Sequence, residues 1–253
     1  MPDYWSALFP STTMLLVMLL ATAAAATMRA FSGFGSGLLL APIFSLYLSP
    51  QNMLAVLTII NLLGTLQMLP SVWRHINWSL VWRMVPAAAA GVPLGWMLLN
   101  SIDPSMVRRV VAVIVILLSL LLLAGWTYRG TRGRYQELGA GVCSGALTAM
   151  AGMGGPPFIL YMLSAPNYSP VAFRTFLTVF FVFSQVLVLG VILSTGAFSV
   201  NQLVYVGTLL PVHIMATVLG SFLLVRALRG KTERIKRICL LILFVVGLLV
   251  LFL

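Results

Sequence analysis

Two glycine-rich stretches carry the residues best placed to do chemistry, Gly33-Phe34-Gly35-Ser36-Gly37 and Gly152-Met153-Gly154-Gly155-Pro156-Pro157. Each joins a long apolar segment to a short one. Glycine clusters interrupt helices, where glycine loses the most backbone entropy. Pro156-Pro157 adds a fixed φ suited to the first turn of a new helix. Broken backbone at membrane depth persists only where protein or a water-filled cavity surrounds it. A short helix starting at each break aims free N–H groups and the positive end of its dipole into the protein, which suits an anion. The expected anion site is therefore bounded by Gly33, Gly35, Ser36 and Gly37 on one side and by Gly152, Gly154, Gly155 and Pro156 on the other. The competing explanation is that the glycines merely let helices pack closely. Two breaks at matching positions, each before a shortened segment, favour the site. Neither stretch spells GxGxxG, so a dinucleotide fingerprint is excluded.

Two arginines flank these breaks. Arg29 lies four residues before Gly33, and Arg174 sits in the SPVAFRT stretch that follows the second short segment. An arginine at membrane depth is costly and functional by default, and its planar fork matches carboxylate, sulfite or sulfonate oxygens. Either could instead snorkel to a cytoplasmic interface. On sequence grounds Arg174 is the stronger of the two. His213 is mid-segment and is the one candidate for a proton relay, although a lone histidine also serves as a neutral interhelical group. Thr58, Asn61, Thr65, Gln67, Thr178 and Gln185 could line a polar path or simply bond between helices.

The acids are informative by their positions. Asp3, Asp103, Glu137 and Glu233 all fall at segment ends or in loops, leaving no intramembrane carboxylate for a proton or sodium relay. The missing acid also makes a catalytic triad improbable, so no catalytic residue and no enzyme activity are expected. Cys143 and Cys239 lack metal spacing and read as small buried hydrophobes. No metal and no cofactor are expected.

These residues must be positioned by membrane helices. The 253-residue chain is 61% hydrophobic and 8% charged, with mean hydropathy +1.08, whereas a soluble domain is about one quarter charged. Apolar segments run approximately over 11–31, 35–48, 51–72, 79–99 and 105–126, then 135–151, 155–165, 170–195, 202–228 and 235–253. Residues 14–26 could mimic a signal peptide, but Asp3 replaces a basic n-region and further apolar segments follow; they read as a retained first segment. Tryptophans and tyrosines near segment ends, such as Trp73, Trp78, Trp126 and Tyr128, read as interfacial anchors.

The second five segments echo the first. The two glycine stretches correspond, Ser49-Pro50 falls against Ser169-Pro170, Pro86 and Gly95 against Pro211 and Gly220, and VRRVVAV (107–113) against IKRICLL (235–241). The expected fold is an all-α polytopic membrane protein of eight to ten segments in two repeats. Residues 1–128 form the N-terminal repeat, 129–137 a basic cytoplasmic linker and 138–253 the C-terminal repeat. Five is an odd number, so the second repeat is inverted. Of the 15 basic residues, all but Arg108 and Arg109 fall on one side of the expected topology. That bias makes their side cytoplasmic and puts both termini outside. The net charge of +11 is thereby explained without nucleic acid.

At the paired glycine stretches the chain resembles the TauE/SafE sulfite exporter family, also called the TSUP family of membrane permeases. GFGSGLLLAP, its counterpart GMGGPPFILY, the basic central linker and AFRTFL (172–177) carry the resemblance over nearly the whole length. Ser36 stands where glycine is usual in the family, and Pro156-Pro157 replaces a third glycine. The resemblance implies transport of small anions, especially sulfite, sulfonates or other organosulfur compounds, across the bacterial inner membrane. The expectation is a secondary transporter or facilitator working as an exporter, with membrane lipid around it and a homo-oligomer left open. The alternatives are a membrane-embedded assembly or enzyme subunit without transport activity, and an anion channel.

Overall fold

The computed structural model describes residues 8–126, 133–163, 170–221 and 232–252. Among these the chain is all helix: α1 (Thr12–Ser32), α2 (Ser36–Phe44), α3 (Pro50–Val72), α4 (Trp78–Ser101), α5 (Pro104–Leu123), α6 (Arg134–Ala151), α7 (Gly155–Leu163), α8 (Pro170–Ser194), α9 (Val200–Leu219) and α10 (Thr232–Phe252). Six of them, α1, α3, α4, α5, α8 and α9, are long and apolar enough to cross a membrane. The expected all-α polytopic fold is thus observed.

Short polar residues at the segment boundaries set where the helices start. Ser11 Oγ accepts a hydrogen bond from the Met14 amide at 3.0 Å, and Ser49 Oγ caps α3, with Pro50 in its first turn. Asp103 accepts from the Ser105 amide at 2.8 Å, again with a proline, Pro104, opening the helix. Each such side chain satisfies an amide that the helix itself leaves free, while proline supplies a helical φ where no N–H is needed. Ser199 and Gln202 form a capping box at the start of α9. Helix α6 begins at Arg134, so the last part of the expected linker is helical; Glu137 sits in its first turn, at the positive end of the dipole, and pairs with Arg83 of α4 at 3.4 Å. Linker residues 129–132 and the basic residues Arg226, Arg229 and Lys231 lie outside the described residues.

Lipid gives helices little hydrophobic reason to associate, so close van der Waals contact between small residues takes over. It does so most clearly between α4 and α6. A Cβ added to Gly91 would lie 2.0 Å from the Val142 carbonyl oxygen, and one on Gly145 would lie 2.1 Å from that of Ala88. The two backbones therefore touch. Helix α1 packs on α9, α3 on α8 and on α9, α4 also on α8, and α5 on α10. Beneath them Phe158, Phe176 and Phe180 stack in a fully buried core. The outward surface keeps large apolar residues such as Leu20, Met97, Leu117 and Leu193, as a lipid-facing surface must. Cys143 corrects the sequence reading, for it is exposed: the face of α6 that turns inward is occupied by Gly141 and Gly145 against α4. Gln67 is likewise exposed, outside any internal polar path.

Candidate functional site

Both breaks form as the glycines demand. Helix α1 ends on Gly33 at φ 80° and α6 ends on Gly152 at φ 68°, a left-handed conformation that L side chains enter only with strain. After each break comes a helix of nine residues, roughly 14 Å long and far short of the ~30 Å hydrocarbon core.

The breaks meet. A Cβ on Gly37 would lie 2.2 Å from the Gly152 carbonyl oxygen, so the start of α2 rests on the end of α6. Between them lies a cavity whose walls include Gly35, Ser36, Gly37, Gly152, Gly154 and Gly155, joined by Arg29 from α1, Asn61 from α3, and Phe181 and Gln185 from α8. Its volume is about 20 Å³, room for roughly one water molecule and too little for a pyramidal or tetrahedral anion. This conformation leaves little free space between the breaks.

Arg29 dominates the cavity. It is 3% exposed. One terminal nitrogen, Nη1, donates to the Asn61 side-chain oxygen at 3.1 Å, to the Asn61 carbonyl at 3.3 Å and to Ser36 Oγ at 3.3 Å. The other, Nη2, donates to the Thr65 hydroxyl. Ser36 Oγ in turn donates to Asn61 Oδ1 at 2.6 Å. The Phe181 ring centroid lies 5.8 Å from the guanidinium carbon, a cation–π distance. Every one of these partners is neutral. Among the described residues no carboxylate reaches Arg29, and the ion pair found is Arg83–Glu137, between α4 and α6.

Arg174 stands elsewhere. Its aliphatic stem covers Gly33, with Cγ 3.1 Å from where a Cβ would be, and its guanidinium is outside the cavity wall. Gly33 and Pro156, both expected at the site, also support the breaks from outside the lining. His213 is fully buried and packs into the gap left by Gly64, its ring nitrogens without hydrogen-bond partners; it is not part of the cavity. Of the suggested polar path, Asn61 and Gln185 line the cavity and Thr65 holds Arg29, while Thr178 hydrogen-bonds back to the Arg174 carbonyl at 2.8 Å.

A model of the sulfite exporter TauE/SafE family matches residues 18–250. The chain belongs to that family. As a TauE/SafE member it is a multi-pass membrane transporter, and the family match spans both breaks and every helix that lines the cavity. No curated protein and no solved structure matches the chain. Within this TauE/SafE chain the sequence reading passed over Phe181, yet the signal was available. Phe181 lies four residues before Gln185, one helical turn, and so shares its face.

Proposed function

We propose that this transporter moves a small sulfur-containing anion, such as sulfite, a sulfonate or another organosulfur anion, out across the bacterial inner membrane. The observation that carries the reading is Arg29, a buried guanidinium with no acid beside it among the described residues. A buried charge without a counter-charge is expensive, and a transported anion supplies the missing partner. The amides at the start of α2 and Gly154-Gly155 add donors for its oxygens, and Arg174, through Gly33, bears on the break next to Arg29. The sulfur chemistry rests on the family rather than on the cavity.

Two inverted repeats, 1–128 and 138–253, would give the cavity alternating access. The packing supports this reading, because exchanging α1–α5 with α6–α10 turns the α4–α6 contact into α9–α1, and α3–α9 into α8–α4, all of which occur. Opening would then swing one repeat against the other around the breaks. With both termini outside, the basic loops face the cytoplasm, and an interior negative by 100 mV favours exit of one negative charge by about 2.3 kcal/mol. Export of this kind needs no coupling ion.

Flux of sulfite and of small sulfonates through purified protein in liposomes tests the reading. Wild-type protein should carry these anions with saturable kinetics, and Arg29→Ala should remove the flux while retaining the helical fold. Undiminished flux through Arg29→Ala would place the anion path elsewhere. Conductance that does not saturate would mark a channel.

A further inference from the structure

The charge written into the cavity is that of one guanidinium. Arg29 is the charged side chain of its wall, and the remaining polar side chains there, Ser36, Asn61 and Gln185, are neutral. The helix dipoles add little to it. Each break joins the negative end of a long helix, α1 at Gly33 or α6 at Gly152, to the positive end of a short one, α2 or α7. Each end is worth roughly half a charge within a turn, so the two signs nearly cancel at each break. The Gly152 carbonyl oxygen, lodged against Gly37, strengthens the negative side.

Gln185 decides whether a second charge could be held. It is 3% exposed, its side-chain Oε1 has no hydrogen-bond partner, and it shares the cavity wall with Arg29. Phe181, one turn earlier on α8, lies over the Arg29 guanidinium. A cation at position 185 would face a dianion together with Arg29. An amide there supplies hydrogen bonds and no charge.

We infer that the cavity is built for singly charged oxyanions and that Gln185 is the residue that sets this charge preference. The inference rests on the anion-transport reading above and narrows it. An anion of one negative charge neutralises Arg29. A dianion leaves one negative charge uncompensated in a low-dielectric site, a large penalty. An anion bearing an O–H or N–H also gives the unpartnered Gln185 oxygen a donor. The favoured class is thus hydrogensulfite and the monovalent sulfonates, with sulfite dianion and sulfate disfavoured.

The test compares methanesulfonate, which keeps one negative charge at every working pH, with sulfate, which keeps two. Flux is measured in proteoliposomes, and thermal stabilisation of the purified protein by each anion is measured in parallel. Wild-type protein should favour methanesulfonate by at least about tenfold in flux and be stabilised by it more than by sulfate. Sulfite flux should fall as pH rises and hydrogensulfite gives way to the dianion, while methanesulfonate flux stays level. Gln185→Lys should narrow or reverse the preference. Equal handling of both anions by the wild-type protein would overturn the inference and leave anion transport intact. A preference unchanged in Gln185→Lys would overturn the role of Gln185. If neither anion were carried nor stabilised the protein, the transport reading would fall first and the charge preference with it.

Discussion

The first break sets a serine, an arginine, an asparagine and a threonine around its glycines, whereas the second sets two prolines into its new helix. Their backbones are close counterparts. Each long helix ends on a left-handed glycine, each short helix has nine residues, and the helices that follow run for 23 and 25 residues. The chemistry is not shared. At the first break Gly35 is also left-handed, at φ 98°, and Ser36, Gly37 and Leu38 all have amides to offer in the opening turn of α2. At the second, Pro156 and Pro157 remove two of the amides that a helix start would otherwise present. Gly154 is pressed so closely that a Cβ would lie 1.8 Å from Thr148 Oγ1. The first break is thus the richer in polar side chains and free amides, and the second is the more closely packed. On the proposed reading the first break holds most of the ligand's partners, while the second mainly shapes the wall it meets.

Arg29→Ala should show the largest effect, a loss of anion flux of about a hundredfold or more, because it removes the buried charge. Arg29→Lys should recover part of it, since it keeps the charge and loses the fork. A full recovery would mean that charge alone matters.

Gly154→Ala should destabilise the detergent-solubilised protein by about 2–3 kcal/mol by overpacking, read as a lower midpoint of thermal unfolding. Gly37→Ala should do the same, since its Cβ would meet the Gly152 carbonyl oxygen. Gly190→Ala, in the interior of α8, meets nothing within 4 Å and serves as the control, expected to be as stable as wild type or more so by up to about 1 kcal/mol. A midpoint for Gly37→Ala no lower than that of Gly190→Ala would deny that the breaks are packed against each other.

Arg174→Ala should reduce flux only a few-fold, because its stem covers Gly33 while its guanidinium is outside the cavity wall. A loss equal to that of Arg29→Ala would place Arg174 in the anion path beside Arg29. The smallest effect is expected for Pro156→Ala, which returns one amide to the second break. Affinity for the anion should rise about twofold or less, as measured by the concentration dependence of flux. A large gain would show that the prolines withhold binding rather than shape the wall.

Much of this arrangement was legible in the residue order. Glycine clusters before shortened apolar segments mark the breaks because helix interiors tolerate them poorly, and Ser49-Pro50 marks the start of α3 as a cap followed by a first-turn proline. Hydropathy alone identifies helices that lipid can accept. The ranking of the arginines was not legible. Arg29 and Arg174 have the same side chain and both lie near a break, and only the packing of α1 on α2 and of α3 on α8 decides which one reaches the cavity. Asn61 and Thr65 are distant from Arg29 in sequence, so no local pattern announces their contact with it. Composition and periodicity determine that a segment is buried in lipid and where its helix stops, since these depend on each residue's own solvation and backbone freedom. Which polar groups share one cavity depends on how helices far apart in the chain cross, and that the tertiary structure alone decided.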